Sequence, residues 1–309
     1  MRVKGFVDLF VRGNSRSVDR LCVLAGSGGY GALGVIANLE ASELDGVAIV
    51  PVVDALKPDG TMANIRTSQE LLGAGMIYGG RALGGNSELL RNVMAYCSGL
   101  GCRLALVPDE EPLTRGALVS EGRASSVSGM KGFPVVAESI GIFRAMEMAG
   151  EYDLPLHLHG VSTSRGLDMV REAKAKGSDV TCSVTSFSLC LTEEDLIKSR
   201  WDPYLKTEIP LRSDSDRKAL WEGIEDGTVD AITSGHVQIS EEDKMVPFPE
   251  APFGFETLPD AALSLLRTRR SEFPDVSEKK LLGCLTSGPA GLLGLEHEGD
   301  LSRIADGYL

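Results

Sequence analysis

Short apolar runs alternate with helical segments along this chain of 309 residues, and this alternation constrains the fold more than any other feature. The runs are continuously apolar, with no regular polar position between the apolar ones, which is typical of parallel strands covered on both faces. The eight predicted strands are residues 5–11, 32–39, 46–53, 76–78, 103–108, 154–159, 179–185 and 229–234.

Three segments between these runs carry helix signals. They are residues 86–98, 164–176 and 213–226. The first opens at Asn86 or Ser87, either of which is a good N-cap, and the other two begin at a serine cap. Gly177 and Gly227 follow the second and third segments, where a glycine favours helix termination. The sequence therefore predicts strands and helices in alternation.

Eight strand–helix units in roughly 250 residues match the size of a TIM (β/α)8 barrel. A doubly wound open sheet is the main alternative, because it uses the same alternating elements. No internal repeat and no linker-like stretch interrupts the pattern, so residues 1–309 are predicted to form a single domain. In a barrel of this kind, functional side chains lie at the carboxyl ends of the strands.

The composition excludes several classes of partner. Acidic residues outnumber basic ones by 44 to 31, which gives a formal net charge of −13 and argues against nucleic acid and anionic membrane surfaces. No apolar run is long enough for a membrane span, and the N-terminus does not have the pattern of a secretory signal. The six cysteines form no CxxC pair and are expected to be reduced, mostly buried thiols in a cytoplasmic protein.

Histidines stand at two of the predicted strand ends. His157 and His159 are two residues apart, so on a strand they face the same side, and His236 follows the last strand. One hypothesis is that these three bind zinc, because catalytic zinc sites use three protein ligands. The alternative is that one histidine is a hydrogen-bonded core residue and another lines a polar barrel mouth.

Several stretches resemble the dihydroorotases of the amidohydrolase superfamily. The strongest is KGFPVVAESIGIFRAMEMAGEYDLPLHLHGVSTSRGLDMVREAKAKG, residues 131–177, followed by VTSFSLCLTEEDL, IPLRSDSDRKALWEGIEDGTVDAITSGHVQISEEDK and EAPFGFETLPDAALSLL. Their order and spacing match over nearly the whole chain. The resemblance implies a metal-dependent-hydrolase TIM barrel, and the ends of the chain are expected to lack most or all of the family's accessory β-sandwich.

The positions that match the family's functional residues carry other side chains. Where the family has two metal-binding histidines in VDLHVHLRE, this chain has Phe10 and Arg12, and the substrate-binding arginine falls on Asn14. The metal-binding histidine before V-S-T is Gly160, and the metal-bound aspartate of TDHAPH is Gly235. The remaining altered positions are Tyr78, Gly79, Gly80, Pro108, Glu208 and Ile239. Without a metal to activate water and a carboxylate to act as base, hydrolysis is not expected.

The resemblance suggests a function without catalysis. Inactive dihydroorotase-like chains in this family associate with aspartate carbamoyltransferase, so the first hypothesis is a structural or regulatory subunit of pyrimidine biosynthesis that also self-associates. The expected cofactor is none. The second hypothesis is a cyclic-amide hydrolase with a rebuilt zinc site at His157, His159 and His236.

The third hypothesis is a metal-free barrel that binds a carboxylate metabolite. Arg12, Asn38, Arg212 and His236 are its candidate ligand residues, because arginines at a barrel mouth suit carboxylates. His157 and His159 complete the set of pocket candidates. Alternatively, Arg12 only fills the volume that a metal would take and pairs with Glu208 or Asp109.

Overall fold

The computed structural model of the chain describes residues 1–13, 17–37, 39–83 and 86–298. Eight parallel strands form a nearly closed barrel, which confirms the predicted TIM-barrel fold. We label these strands β1 to β8 in chain order. They are β1 (Phe6–Arg12), β2 (Tyr30–Ile36), β3 (Val47–Asp54), β4 (Met76–Gly80), β5 (Arg103–Leu106), β6 (Leu156–His159), β7 (Val180–Thr185) and β8 (Ala231–Thr233).

Neighbouring barrel strands follow one another in chain order, each parallel to the next. A doubly wound sheet reverses its strand order near the middle, so this regular order rules out that alternative. Strands β1 and β8 meet at the closure of the barrel, where the backbone N–H of Ser234 donates to Asp8 Oδ2 at 3.1 Å. Each predicted strand is present, with ends that coincide or differ by up to three residues.

Helices follow most of the barrel strands along the chain. The described helices include none between β2 and β3 but three between β5 and β6 and three between β7 and β8. They are α1 (Val18–Ser27), α2 (Ile65–Leu72), α3 (Ser87–Ser98), α4 (Glu111–Thr114), α5 (Arg123–Ser128), α6 (Val135–Glu151), α7 (Ser164–Ala175), α8 (Ser186–Cys190), α9 (Glu193–Lys198), α10 (Asp214–Asp226), α11 (Glu241–Lys244), α12 (Ala261–Glu272), α13 (Glu278–Leu285) and α14 (Ser287–Leu292), with a 3-10 turn at Pro203–Leu205.

The helix ends explain the signals in the sequence. Asn86 caps α3 by accepting the N–H of Leu89 at 2.9 Å, and Ser213 caps α10. Gly227 ends α10 with φ +84°, a backbone angle that glycine adopts at little cost. The predicted serine cap of α7 is wrong by one residue. Thr163 is the cap, since its hydroxyl accepts the N–H of Gly166 at 3.0 Å.

Short strands lie outside the barrel. Residues Ser42–Leu44 pair antiparallel with β3, and Val119–Ser120 pairs with Gly132–Phe133 beside the barrel mouth. Near the two ends of the described chain, Arg2–Val3 pairs in parallel with Glu296–His297.

The apolar core has an outer layer between strands and helices and smaller clusters inside and above the barrel. The interior cluster contains Leu9, Phe10, Ile36, Val52, Met76, Tyr78, Ala105 and Ala231. A separate cluster covers the carboxyl end of the barrel and includes Phe187, Ile209 and Phe248. Five of the six cysteines are buried and all six are unpaired, as predicted. Among the described helices, none has the length and apolar character to cross a bilayer.

Candidate functional site at the barrel mouth

The carboxyl ends of the strands surround two adjoining cavities. The inner cavity has a volume of about 40 Å³, and the outer cleft has a volume of about 650 Å³. Arg12, Tyr78 and Glu208 line both, so these side chains stand where the two spaces meet. His159 and His236 line the inner cavity only. The structure thus brings three of the predicted pocket residues, Arg12, His159 and His236, to one place.

Phe10 occupies the interior where the family motif has a histidine. Its ring centroid lies 4.7 Å from that of His159, 5.1 Å from that of Tyr78 and 5.6 Å from that of His157. Phe10 is almost fully buried. Phe10 therefore packs in an aromatic cluster with Tyr78 and the two histidines of β6.

His157 and His159 face the same side of β6, as predicted from their spacing. They share one partner on the neighbouring strand, since Ser183 Oγ lies 3.0 Å from His157 Nε2 and 2.9 Å from His159 Nδ1. The other nitrogen of His157 lies 2.9 Å from Thr181 Oγ1. Both ring nitrogens of His157 therefore hydrogen-bond to hydroxyl groups, so the one nitrogen lone pair of the neutral ring is already used as an acceptor.

Burial keeps these histidines neutral. Desolvation, followed by the proximity of Arg12, lowers the pKa of His159 to about 3. Desolvation and then the neighbouring His159 lower the pKa of His157 well below its usual value. The pair therefore forms a neutral hydrogen-bonded ladder across β6 and β7.

Backbone N–H groups hold the ring of His236. The backbone N–H of Thr257 donates to its Nδ1 at 3.0 Å, and the N–H of Leu258 lies at 3.4 Å from the same atom. Because Nδ1 accepts, the neutral ring carries its proton on Nε2. Desolvation, with a smaller effect of Arg20, lowers the pKa of His236 to about 4. A zinc ligand needs a bare nitrogen, and this tautomer offers an N–H donor to the cavity.

At two glycines of the barrel mouth, neighbouring residues occupy the space that a side chain would take. A Cβ on Gly235 would lie 2.3 Å from Phe187 Cε1, and a Cβ on Gly160 would lie 2.6 Å from Ile209 Cδ1. Both glycines have positive φ, +69° and +74°, which other residues rarely adopt. Phe187 and Ile209 therefore occupy the space into which side chains at 235 and 160 would project.

The donors around the cavity do not fit the metal ions that the fold family implies. Within the described ranges, no three His, Cys, Asp or Glu side chains are grouped so as to bind a metal ion. Both ring nitrogens of His157 are hydrogen-bonded, and His236 offers an N–H donor instead of a lone pair. Apolar side chains occupy the space into which side chains at Gly160 and Gly235 would project. Asn14 and the pocket candidate Asn38 lie outside the described residues.

Arg12 contacts an aromatic ring and one carboxylate. Its guanidinium carbon lies 5.5 Å from the centroid of the Tyr78 ring, and its Nη1 lies 4.0 Å from Asp54 Oδ2. The expected pairing of Arg12 with Glu208 or Asp109 is therefore wrong within the described residues. Asp109 instead accepts from Arg81 Nη1 at 2.7 Å.

Arg212 lies away from both cavities, although the sequence placed it with the pocket residues. It borders a separate cavity of about 10 Å³. Its guanidinium donates to Phe133 O at 2.6 Å and to Ser162 Oγ at 3.1 Å, and Glu138 Oε2 lies 4.0 Å away. Arg212 is buried in this network, so its donors bind protein groups rather than the mouth.

The chain is similar in sequence to known dihydroorotases. The chain is 34% identical over 218 residues to a dihydroorotase of Carboxydothermus hydrogenoformans, covering 71% of this chain and 50% of that protein. A dihydroorotase of Thermus aquaticus is 36% identical over 203 residues, covering 63% of this chain and 47% of that protein. This chain belongs to the dihydroorotase family. It spans about half the length of these curated relatives, and no protein-family model matches it.

Solved structures share the fold. The L-hydantoinase of Arthrobacter aurescens superimposes with a TM-score of 0.78 at 20% identity, over 94% of this chain and 71% of that one. A dihydroorotase of Campylobacter jejuni gives a TM-score of 0.65 at 13% identity, over 96% and 84% of the two chains. The amidohydrolase type of barrel, predicted from the motifs, is confirmed.

Proposed function

We propose that this dihydroorotase-family chain does not hydrolyse cyclic amides and serves as a non-catalytic, cytoplasmic subunit in pyrimidine biosynthesis. One observation supports this proposal above the others. The positions matching the metal-binding histidine and the metal-bound aspartate are Gly160 and Gly235, and Ile209 and Phe187 pack into the space in front of them. A hydrolytic metal site needs ligands and a base at these places, and the packing leaves no volume for them.

Purified protein is expected to contain no stoichiometric metal and to leave dihydroorotate intact. The measurement is elemental mass spectrometry after growth with added zinc, with hydrolysis of dihydroorotate followed on the same sample. The dihydroorotase of Carboxydothermus hydrogenoformans, prepared identically, is the positive control. One metal ion per chain, or turnover above the buffer blank, contradicts the proposal and makes His157, His159 and His236 the residues to mutate.

A non-catalytic subunit needs a contact surface, and α6 offers one. Val136, Ile140 and Phe143 are 42%, 39% and 58% exposed and follow the i, i+4, i+7 spacing of one helix face. Exposed apolar side chains grouped in this way are typical of protein contacts. This stripe supports a protein contact at α6. The proposed partner is aspartate carbamoyltransferase, which the family resemblance suggests, and self-association is a second use of the surface.

Mixed at micromolar concentration, the chain and aspartate carbamoyltransferase are expected to elute together in size-exclusion chromatography with light scattering. Phe143→Glu is expected to abolish co-elution, because it places a charge within the apolar stripe. Val127→Glu is the matched control, since Val127 is 60% exposed on α5, outside the stripe. Separate elution of the unmodified proteins contradicts the partner, and the chain run alone measures self-association.

A further inference from the structure

The inner cavity contains a buried hydrogen-bond donor that lacks an acceptor. His236 is 2% exposed, and its Nε2 has no hydrogen-bond partner in the described part of the chain. Because Nδ1 accepts the N–H of Thr257, Nε2 carries the ring proton. Leaving a buried donor unsatisfied is unfavourable, so a ligand atom that accepts this hydrogen bond gains affinity at this point.

The cavity in front of His236 has room for one small polar group. Its volume of about 40 Å³ compares with roughly 30 Å³ for a water molecule in the liquid. Its entrance passes Arg12, Tyr78 and Glu208, which also line the larger outer cleft. A ligand can therefore place a carboxylate-sized group inside and leave the rest of its structure in the cleft.

Arg12 lies at this entrance, where its guanidinium N–H groups can donate hydrogen bonds to a ligand. Its guanidinium lies over the Tyr78 ring, and its side chain is 51% exposed. Its one ion-pair partner in the described chain, Asp54, is 4.0 Å away, beyond hydrogen-bonding distance. A stacked guanidinium keeps its N–H edges free for a carboxylate, which is the group that arginine recognises best.

Carboxylates lie beside Arg12 at the same entrance. Glu208 lines both spaces, and its backbone oxygen accepts from Arg81 at 2.7 Å, which fixes the residue in place. Asp54 lines the outer cleft on the other side. Lys57, Arg81 and Arg115 also line the outer cleft, but Glu208 is the one carboxylate among the described residues that lines both spaces. A cationic group next to a ligand carboxylate held at Arg12 can therefore pair with Glu208.

We propose that the barrel mouth binds an α-amino acid, with its carboxylate against His236 Nε2–H and Arg12 and its ammonium group against Glu208. This inference rests on the proposed function, because metal ions bound for hydrolysis would take the same space. The outer cleft has apolar walls that suit an apolar side chain. They include Leu56, Pro58, Leu118, Phe133 and Phe253.

L-leucine is the probe for isothermal titration calorimetry with the full chain. It is compared with 4-methylpentanoate, which lacks the ammonium group, and 3-methylbutylamine, which lacks the carboxylate. L-leucine is expected to bind, and each analogue is expected to bind at least about tenfold more weakly, because each loses one charge-assisted contact. Absence of heat from L-leucine at millimolar concentration, or equal binding of either analogue, overturns the proposal.

Variants locate the site. His236→Asn is expected to weaken L-leucine binding at least about tenfold, since the asparagine oxygen still accepts the N–H of Thr257 while the Nε2 donor is gone. Glu208→Gln is expected to have a similar effect through the ammonium group. Arg171→Gln is the control, because Arg171 lies on α7 outside both cavities and pairs with Asp168 and Asp226. Unchanged binding in His236→Asn places the ligand elsewhere and overturns the assignment.

Metal analysis of the same preparation separates the two proposals. A metal-free sample that fails to bind L-leucine contradicts the amino-acid site and leaves the non-catalytic proposal standing. A sample with stoichiometric metal contradicts the non-catalytic proposal, whatever the titration shows. Nitrogen-15 spectra of the histidine side chains supply a direct readout, because the His236 Nε2–H resonance is expected to shift with L-leucine and not with 3-methylbutylamine.

Discussion

Replacing Arg212 by methionine is expected to lower the free energy of unfolding by about 3–5 kcal/mol, the usual cost of removing one partner of a buried ion pair. Arg212 and Glu138 are both buried, and the guanidinium donates to Phe133 O and Ser162 Oγ. Methionine fills much of the volume but makes none of these contacts. The replacement of Arg212 therefore leaves the buried Glu138 carboxylate without a compensating positive charge.

The Glu138 carboxylate is also bound by the start of α7. It accepts from the backbone N–H and the hydroxyl of Ser162 at 3.1 and 2.5 Å, and from those of Thr163 at 3.0 and 2.6 Å. Helix N-termini favour negative charge, so this carboxylate fixes α7 directly after β6. Loss of Arg212 therefore destabilises the junction that follows His157 and His159.

Urea unfolding at pH 7 measures this effect. Arg12→Met is the control and is expected to change the free energy of unfolding by less than about 0.5 kcal/mol, because Arg12 is half-exposed and its ion pair is long. In a double-mutant cycle, Arg212→Met combined with Glu138→Gln is expected to cost less than the sum of the two single substitutions. Equal losses for Arg12→Met and Arg212→Met contradict the structural role of Arg212.

Much of the barrel was predictable from the sequence, because the relevant signals are local. Continuous apolar runs indicate strands buried on both faces, and the observed strands are buried almost throughout. Asn86 and Gly227 end their helices through their own side chain or backbone. The same-face placement of His157 and His159 follows from the period of a strand, and it too was predicted correctly.

The packing and hydrogen bonding within the site depend on residues that are far apart in the chain. Phe187 lies in front of Gly235 and Ile209 in front of Gly160, each 48 or 49 positions away, and no local pattern predicts such packing. The family resemblance placed Arg212 with the pocket residues, but its guanidinium donates at 2.6 Å to the backbone oxygen of Phe133, 79 residues earlier, away from both cavities. The tautomer of His236 depends on the backbone of Thr257.

The pH dependence of stability offers a second large effect, because three histidines are buried in neutral form. The pKa values of His159 and His236 are lowered to about 3 and about 4, and desolvation, followed by the neighbouring His159, lowers the pKa of His157 well below its usual value. In the unfolded chain each ring titrates near its usual pKa of about 6.5. Their contribution to stability is complete above that pH and is lost as the pH falls, since only the unfolded chain takes up the protons.

Protonation of Asp8 has the opposite effect on stability as the pH falls. Burial raises its pKa to about 6, against hydrogen bonds from Ser234 and Phe10 that lower it. The folded chain therefore takes up this proton before the unfolded chain does, so protonation of Asp8 stabilises the fold as the pH falls from 7 toward 4. As the pH falls, one carboxyl group raises the free energy of unfolding and three imidazoles lower it, so the net change is a loss of stability.

Lowering the pH from 7 to 5.5 is therefore expected to reduce the free energy of unfolding by about 3 kcal/mol, summed over the three histidines and Asp8. Urea unfolding at half-unit intervals of pH measures the slope. His236→Asn keeps the acceptor for the Thr257 N–H and removes one titrating ring, so its slope is expected to fall by about one proton's worth, near 1.4 kcal/mol per pH unit at the acid end. A flat profile in the unmodified chain, or an unchanged slope in His236→Asn, contradicts the neutral buried histidines on which the geometry of the barrel mouth depends.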